Sequence, residues 1–211
     1  MAMGVKKYRV LSALLIGAGI VLAVGAHFLG RATRQDIAVQ GITASAPSAQ
    51  KVTQAEQDTY SVPADLPKYL SIPSLGIAKS RIKALGIKDG KVAEPDNIYD
   101  VGWYKTSAKL GQDGASFMYG HVSNWDAKGI FYNLKNVKAG DKVFVVRGDD
   151  RQFAYEVIAT KVYPYQNVDM DEVLRPTAGV QAGLNIMTCT GRVIKGTSEF
   201  SERLVVFTRQ L

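Results

Sequence analysis

The sequence contains a single cysteine, Cys189, at the end of the apolar run Leu184–Thr188. With no second cysteine in the chain, the thiol is a buried small hydrophobic group, an intermolecular bridge or a nucleophile. Thr190 and Gly191 follow it, so the pattern predicts that Cys189 lies at a strand end beside a loop. Functional side chains are often placed there, which favours the nucleophile.

A second strand, predicted over Leu204–Thr208, begins directly after Arg203. If it pairs with the first strand as an antiparallel neighbour, Cys189 and Arg203 meet. A guanidinium beside a thiol favours the thiolate and can donate hydrogen bonds to an oxyanion. Arg192, closer in sequence, is predicted to be an ordinary loop charge.

A proton shuttle for such chemistry is most often a histidine. His121 follows the apolar strand Ala115–Tyr119 and Gly120, so it also falls at a predicted strand end. Together, Cys189, His121 and Arg203 predict acyl transfer by a cysteine nucleophile. The other histidine, His27, is assigned no function.

The elements that must position these residues are strands. From Pro63 onward, short apolar and β-branched runs are separated by Gly, Pro, Asn and Asp, which is typical of an all-β sandwich or barrel. Gly148-Asp149-Asp150 predicts a hairpin turn, and Gly129–Leu134 and Val168–Leu174 predict short helical turns. The predicted strands are Tyr69–Ile72, Ile77–Ala84, Val101–Tyr104, Ala115–Tyr119, Lys142–Arg147, Gln152–Tyr163, Leu184–Cys189 and Leu204–Thr208.

The N-terminal region predicts a membrane anchor. Residues 10–26 carry no charge and, extended to residue 30, reach the length of about 20 residues that spans a bilayer core. Lys6, Lys7 and Arg9 precede this segment and favour a cytoplasmic N-terminus. The apolar run exceeds the usual core of a cleaved signal peptide, the alternative, and the domain is exported in either case.

The predicted organisation is therefore a cytoplasmic N-terminus at residues 1–9, an anchor at 10–30, a flexible stalk at 31–62 and a catalytic domain at 63–211. The stalk is rich in Ala, Ser, Thr and Gln and has no sustained apolar pattern.

Charge and composition argue against two other classes. Residues 63–211 carry twenty Lys and Arg against sixteen Asp and Glu without a basic cluster, so nucleic-acid binding is not expected. The acidic residues lack the spacing of a ligand loop, so we predict no metal and no cofactor.

These residues resemble the sortases, membrane-anchored cysteine transpeptidases of Gram-positive-type cell envelopes. The family pattern is a Thr-Leu-x-Thr-Cys strand end, an Arg opening the last strand, and an upstream Gly-His followed by Phe-x-x-Leu. The resemblance covers roughly Leu70 to Leu211. Asn185 and Ile186 depart from the first two positions of the pattern. The matching residues are Thr188, Cys189, Arg203, Gly120, His121, Phe131 and Leu134.

The resemblance implies an eight-stranded sortase-type barrel with short helices in its connections. The N-terminal anchor and the lack of an Asp-Pro-aromatic lid motif before Tyr69 look like the general-purpose or class D, E or F forms rather than class B or C.

It also implies a reaction. Cys189 would attack the Thr–Gly bond of an LPXTG-like sorting signal in a secreted protein, Arg203 would hold the oxyanion, and His121 would protonate the leaving amine. The acyl group would pass to an amine of a peptidoglycan precursor. Thr188 would line the substrate pocket.

Two alternatives remain at this point. An L,D-transpeptidase also uses Cys, His and Arg, but its histidine lies a few residues before the cysteine, whereas here 68 positions (189 − 121) separate them. A non-catalytic, exported envelope-binding β-domain would use Cys189 only for packing.

Overall fold

A computed structural model describes residues 46–88 and 90–211. Their main feature is a closed barrel of eight strands, in the order β1-β2-β5-β6-β9-β10-β8-β7, beside a two-stranded hairpin, β3-β4. No helix in this part of the chain is long and apolar enough to cross a membrane. The predicted anchor, residues 10–30, lies outside the described residues.

The strands are connected by short helices and turns. Two α-helices and three 3₁₀ helices, at Pro73–Leu75, Leu134–Asn136 and Tyr165–Asn167, lie in the connections. The α-helices and strands are α1 (Gln54–Asp58), β1 (Pro67–Ile72), β2 (Ile77–Leu85), β3 (Ile87–Lys88), β4 (Lys91–Val92), β5 (Val101–Tyr104), β6 (Gly114–Tyr119), β7 (Lys142–Arg147), β8 (Gln152–Pro164), α2 (Met170–Val173), β9 (Ala182–Val193) and β10 (Phe200–Gln210).

Two strand pairs in the barrel are parallel, β2 with β5 and β6 with β9, and the others are antiparallel. A parallel pair needs a long crossover. The β2–β5 crossover carries the β3-β4 hairpin, and the β6–β9 crossover carries β7, β8 and α2.

Alternation along the strands produces two apolar clusters. The interior cluster fills the barrel and includes Met118, Ile186 and Val206. The outer cluster includes Tyr119, Val205 and, at its border, Met187. Since successive side chains of a strand point to opposite faces, these neighbours in sequence place the two clusters on opposite faces of β6, β9 and β10.

All eight predicted strands are present, and the all-β barrel is confirmed. The hairpin turn at Gly148-Asp149-Asp150 joins β7 and β8, which pair as antiparallel neighbours. The prediction that Cys189 ends its strand is wrong, because β9 continues to Val193 and pairs with β10 as far as Phe200. The connecting loop is therefore residues 194–199, and Gly191, at φ 80°, lies within the strand.

One helical prediction holds and one fails. Val168–Leu174 contains α2, whose first turn is capped by the Asp169 carboxylate. Gly129–Leu134 forms turns, and a 3₁₀ helix begins only at its last residue, Leu134. The N–H groups of Gly129 and Phe131 donate to the carbonyls of Val122 and His121, so this segment bonds to a neighbouring stretch of chain.

The predicted flexible stalk, residues 31–62, differs from the structure over residues 46–62, which pack on the barrel. Thr53 and Glu56 form a capping box at the start of α1. The Tyr69 hydroxyl donates a 2.6 Å hydrogen bond to the Gln57 carbonyl, and the Tyr60 hydroxyl donates to the Ile82 carbonyl. Tyrosine hydroxyls and the backbone bonds of Ser48 attach this segment, and it has no apolar period, which explains why its composition predicted a spacer.

Candidate active site

Cys189 and Arg203 are direct cross-strand partners in the β9–β10 ladder. Residues directly opposite each other in an antiparallel pair place their side chains on the same face. The next pair on that face is Met187 with Val205, so Cys189 and Arg203 lie on the face of the outer cluster. The predicted meeting of these two strands is thus confirmed by their register.

His121 approaches Cys189 from the other side of β9. The parallel β6–β9 register pairs Tyr119 with Met187, and the Gly120 N–H extends the ladder by donating to the Met187 carbonyl at 3.3 Å. His121 lies two residues after Tyr119, and Cys189 lies two residues after Met187. The β6–β9 ladder thus leads toward His121 on one side of Cys189, and the β9–β10 ladder places Arg203 directly opposite Cys189 on the other; we call these three residues the row.

The Arg203 side chain is 16% exposed and is held by its own hairpin. Nη1 donates to the carbonyls of Phe200 and Glu202, at 2.9 and 3.1 Å, and Nη2 donates to the Glu199 carboxylate at 2.9 Å. A guanidinium has five N–H donors. Within the described part of the chain, Nε–H and one Nη2–H remain without a partner, so the group can still bind an anionic oxygen.

The His121 ring is oriented by a backbone carbonyl. Its Nε2 lies 2.9 Å from the carbonyl oxygen of Pro95, in the β2–β5 crossover. A carbonyl oxygen only accepts hydrogen bonds, so Nε2 carries the hydrogen, and in the neutral ring Nδ1 holds the lone pair. Nδ1 is then the atom that can take a proton.

The backbone of the histidine segment is fixed by the Phe-x-x-Leu stretch. The Phe131 N–H donates to the His121 carbonyl at 3.0 Å, and the Phe131 and Leu134 side chains are fully buried in the interior cluster. A Cβ on Gly120 would lie 2.9 Å from Phe131 Cδ2, and one on Gly129 would lie 2.4 Å from the His121 oxygen. Close packing therefore requires glycine at both positions.

Thr188 faces the other side of β9 from Cys189. Its side chain is buried, and its hydroxyl donates a 2.8 Å hydrogen bond to the Gly120 carbonyl. This contact joins the residue before the cysteine to the residue before the histidine. The substrate-binding role predicted for Thr188 stays a prediction, and the contact that the structure shows is one that positions His121.

Burial dominates the electrostatics of the thiol. It raises the pKa of Cys189 to about 11, against the Arg203 charge, which lowers the pKa, while Glu94 and Glu199 raise it further. At neutral pH the isolated enzyme therefore holds a protonated thiol. The arrangement suits a cysteine that loses its proton as it reacts rather than a stable thiolate.

The side chains next to this row are mostly buried, and Met187 is the partly open one beside Cys189. Met187 lies two residues before Cys189 on the same face of β9, is half-buried and packs with the outer cluster. Val173 of α2 belongs to the same cluster and helps to cover it. At the other end of the row Tyr163 pairs with Arg203, and the Tyr163 hydroxyl donates 2.6 Å to Glu172.

Sequence reasoning missed three groups at this site: Glu94, the Pro95 carbonyl and Glu199. Glu199 precedes Arg203 by four residues, a spacing that could have suggested their ion pair. Nothing in the sequence indicates that a carbonyl 26 positions away orients His121. Arg192 is exposed, as expected for an ordinary charge. The residues described contain no group of three or more His, Cys, Asp or Glu side chains able to hold a metal ion.

Comparisons with known proteins were made for sequence and for structure. The sortase domain family model matches residues 70–211. A comparison with curated protein sequences gave no match.

Among solved structures, sortase C1 of Streptococcus agalactiae in complex with MTSET is similar with a TM-score of 0.53 and 21% identity, covering 72% of this chain and 71% of that one. Sortase A from Corynebacterium diphtheriae has a TM-score of 0.54 and 20% identity, covering 77% and 71%. Sortase C of Streptococcus pneumoniae has a TM-score of 0.53 and 17% identity, covering 78% and 74%.

These structural likenesses show the fold. Proteins described as sortases A and C are among them, so the predicted subclass, general-purpose or class D, E or F rather than B or C, stays a prediction. The family model spans about two thirds of the chain and includes the segments that carry His121, Cys189 and Arg203. The chain belongs to the sortase family of cysteine transpeptidases.

Proposed function

We propose that this sortase is anchored in the cell membrane by residues 10–30 and cleaves an LPXTG-like sorting signal between Thr and Gly. The observation that carries the proposal is the cross-strand pairing of Cys189 with Arg203, with His121 two residues beyond Tyr119, which pairs with Met187 at the end of the β6–β9 register. A nucleophile, a proton shuttle and an oxyanion donor in one row are the groups that acyl transfer requires. The half-buried Met187 beside Cys189 offers an apolar contact for a peptide substrate.

In the first half of the reaction, the Cys189 sulfur attacks the carbonyl carbon of the substrate Thr. The thiol proton passes to Nδ1 of His121 as the bond forms, because the resting thiol is protonated. The free N–H groups of Arg203 donate to the oxyanion. The carbon–nitrogen bond then breaks, His121 returns the proton to the leaving Gly amine, and a thioester to Cys189 remains.

In the second half, an amine attacks the thioester carbon and loses a proton to His121. The carbon–sulfur bond breaks, the sulfur regains the proton, and a new amide is released. Dividing one amide exchange into two steps with a thioester between them lowers each barrier. By family resemblance, the amine is that of a peptidoglycan precursor and the substrates are secreted proteins with a C-terminal sorting signal.

The location follows from the proposed anchor. With Lys6, Lys7 and Arg9 on the cytoplasmic side, residues 31–211 lie outside the membrane, where secreted substrates and wall precursors are found. A full-length protein that is fully released by alkaline carbonate from isolated membranes would contradict this part of the proposal.

The reaction is tested with a fluorogenic LPXTG peptide and an acceptor amine. Cys189→Ala and Arg203→Ala are each expected to abolish cleavage, whereas Arg192→Ala, an exposed guanidinium near Cys189 in sequence, retains it. Mass spectrometry of the acyl adduct on Cys189, with a small peptide library, identifies both the motif and the cleaved bond. Full activity of Arg203→Ala would contradict the assignment of the oxyanion donor.

Thiol accessibility separates the enzyme from a non-catalytic envelope-binding domain. A methanethiosulfonate reagent is expected to label Cys189 in the folded protein and to stop cleavage. Resistance of the native thiol to the reagent would indicate that Cys189 serves only in packing.

A further inference from the structure

Trp125 is the most exposed large apolar side chain among the described residues, at 78%, and the reaction does not use it. It lies at the tip of the loop that follows His121. The Asn124 carboxamide accepts hydrogen bonds from the N–H groups of Asp126 and Ala127, and the Asn124 N–H donates to the Ala127 carbonyl. This closed turn holds the indole away from the barrel, so its exposure is built into the backbone.

Basic and aromatic side chains follow Trp125 in the same connection. Lys128 and Lys135 are exposed, and their ammonium groups lie 4.5 and 5.9 Å from the ring centroid of Tyr132. Neither lysine takes part in an ion pair within residues 46–88 and 90–211. Asp126 is the one acidic residue from 121 to 140. We call Trp125, Lys128, Tyr132 and Lys135 the tryptophan patch.

The N-terminal end of the described chain lies at this patch. The Asn124 amide donates a 3.3 Å hydrogen bond to the carbonyl of Pro47, and Ser48 bridges Asn97. Fifteen residues, 31–45, separate the proposed anchor from this point. That length reaches at most roughly 55 Å, and the chain that follows the proposed anchor enters the described domain beside the patch.

We propose that the tryptophan patch docks on the surface of a bilayer that contains anionic lipid. Tryptophan and tyrosine favour the interface between headgroups and hydrocarbon, and clustered lysines are attracted to anionic headgroups. Because the proposed anchor keeps the domain near the bilayer, the local concentration of membrane surface is high, and a small patch is enough for docking. Docking turns the His121 loop toward the membrane. The inference rests on the proposed anchor.

The chain contains its own probe for this docking. Its two tryptophans are Trp103, which is 1% exposed in the barrel, and Trp125. In full-length protein reconstituted into liposomes, quenching by lipids brominated along the acyl chain therefore reports on Trp125. We expect quenching and a blue-shifted emission with about one third anionic lipid, and at least a twofold loss of quenching in purely zwitterionic liposomes or at high salt.

Charge reversal tests the lysines. Lys128→Glu with Lys135→Glu is expected to reduce the quenching at least twofold, whereas Lys88→Glu with Lys195→Glu changes the net charge equally at other exposed sites and leaves it unchanged. Trp125→Phe removes the quenched signal and leaves that of Trp103.

The outcomes distinguish the two proposals. Protein that does not float with the liposomes overturns the anchor and, with it, the docking. Protein that floats but shows no quenching of Trp125 overturns the docking alone, and the indole then serves another partner such as substrate or glycan. Quenching that is the same with and without anionic lipid, and the same after charge reversal of Lys128 and Lys135, overturns the assignment to anionic lipid.

Discussion

The hydroxyl of Thr188 donates a 2.8 Å hydrogen bond to the carbonyl of Gly120, which ties the strand of the nucleophile to the segment of the proton shuttle. Thr188 precedes Cys189, and Gly120 precedes His121. The Thr188 side chain is buried, so its hydroxyl has this carbonyl as its partner rather than bulk water. The spacing between the two chemical groups is therefore set by a contact on the opposite face of β9.

Thr188→Val removes this hydrogen bond at nearly constant volume. The Gly120 carbonyl loses a buried donor, and we expect a loss of roughly 1–2 kcal/mol in the free energy of unfolding. A small displacement of His121 is expected to lower kcat by about tenfold or more, with little change in KM. Urea unfolding and peptide cleavage measure the two effects. Thr188→Ser keeps the hydroxyl and should retain most of kcat; an equal loss in both variants would contradict the role of the bond.

Gly129→Ala places a methyl group 2.4 Å from the His121 carbonyl oxygen. Since the contact is with backbone, no side-chain rotation relieves it, and the histidine segment must move. We expect cleavage to fall by about a hundredfold, while alkylation of Cys189, which needs no histidine, changes little. Gly140→Ala is the control: it is strained by a positive φ of 93° but meets no atom within 4 Å, so its activity should be retained.

The sequence predicted the parts of the site that follow from strand patterns. Short apolar and β-branched runs located β9 and β10, and antiparallel pairing then predicted that Cys189 and Arg203 meet. The parallel neighbour of β9 was not predictable, since β6 joins it through a crossover of more than sixty residues. Contacts to backbone carbonyl oxygens, such as that between His121 and Pro95, do not depend on the type of residue that supplies the oxygen, so the sequence does not predict them. The packing of residues 46–62 was missed because tyrosine hydroxyls and backbone bonds at Ser48, rather than an apolar pattern, hold it.

Asp100 holds the β2–β5 crossover in place through an ion pair with Arg81, with N–O distances of 2.8 and 2.9 Å. Both side chains are largely buried, at 4% and 12% exposure. Asp100→Asn leaves the Arg81 charge without its partner, and we expect a loss of about 3–5 kcal/mol in unfolding free energy. Asp65→Asn breaks the exposed pair with Lys109 and should cost less than about 1 kcal/mol. Equal effects in urea unfolding would contradict the structural role of the buried pair.

The pKa of Cys189, raised by burial to about 11, predicts how the native thiol reacts with pH. Below that value the thiolate fraction rises about tenfold per pH unit, so the rate of alkylation by iodoacetamide should climb from pH 7 to about pH 10 without a plateau. Removing the opposing charge in Arg203→Ala raises the pKa further and slows alkylation at a given pH. Glu199→Gln removes a negative charge that raises the pKa of Cys189, so alkylation at a given pH becomes faster. A plateau near neutral pH would instead show a resting thiolate paired with the imidazolium of His121, and the proton transfer proposed for the attack would then precede substrate binding.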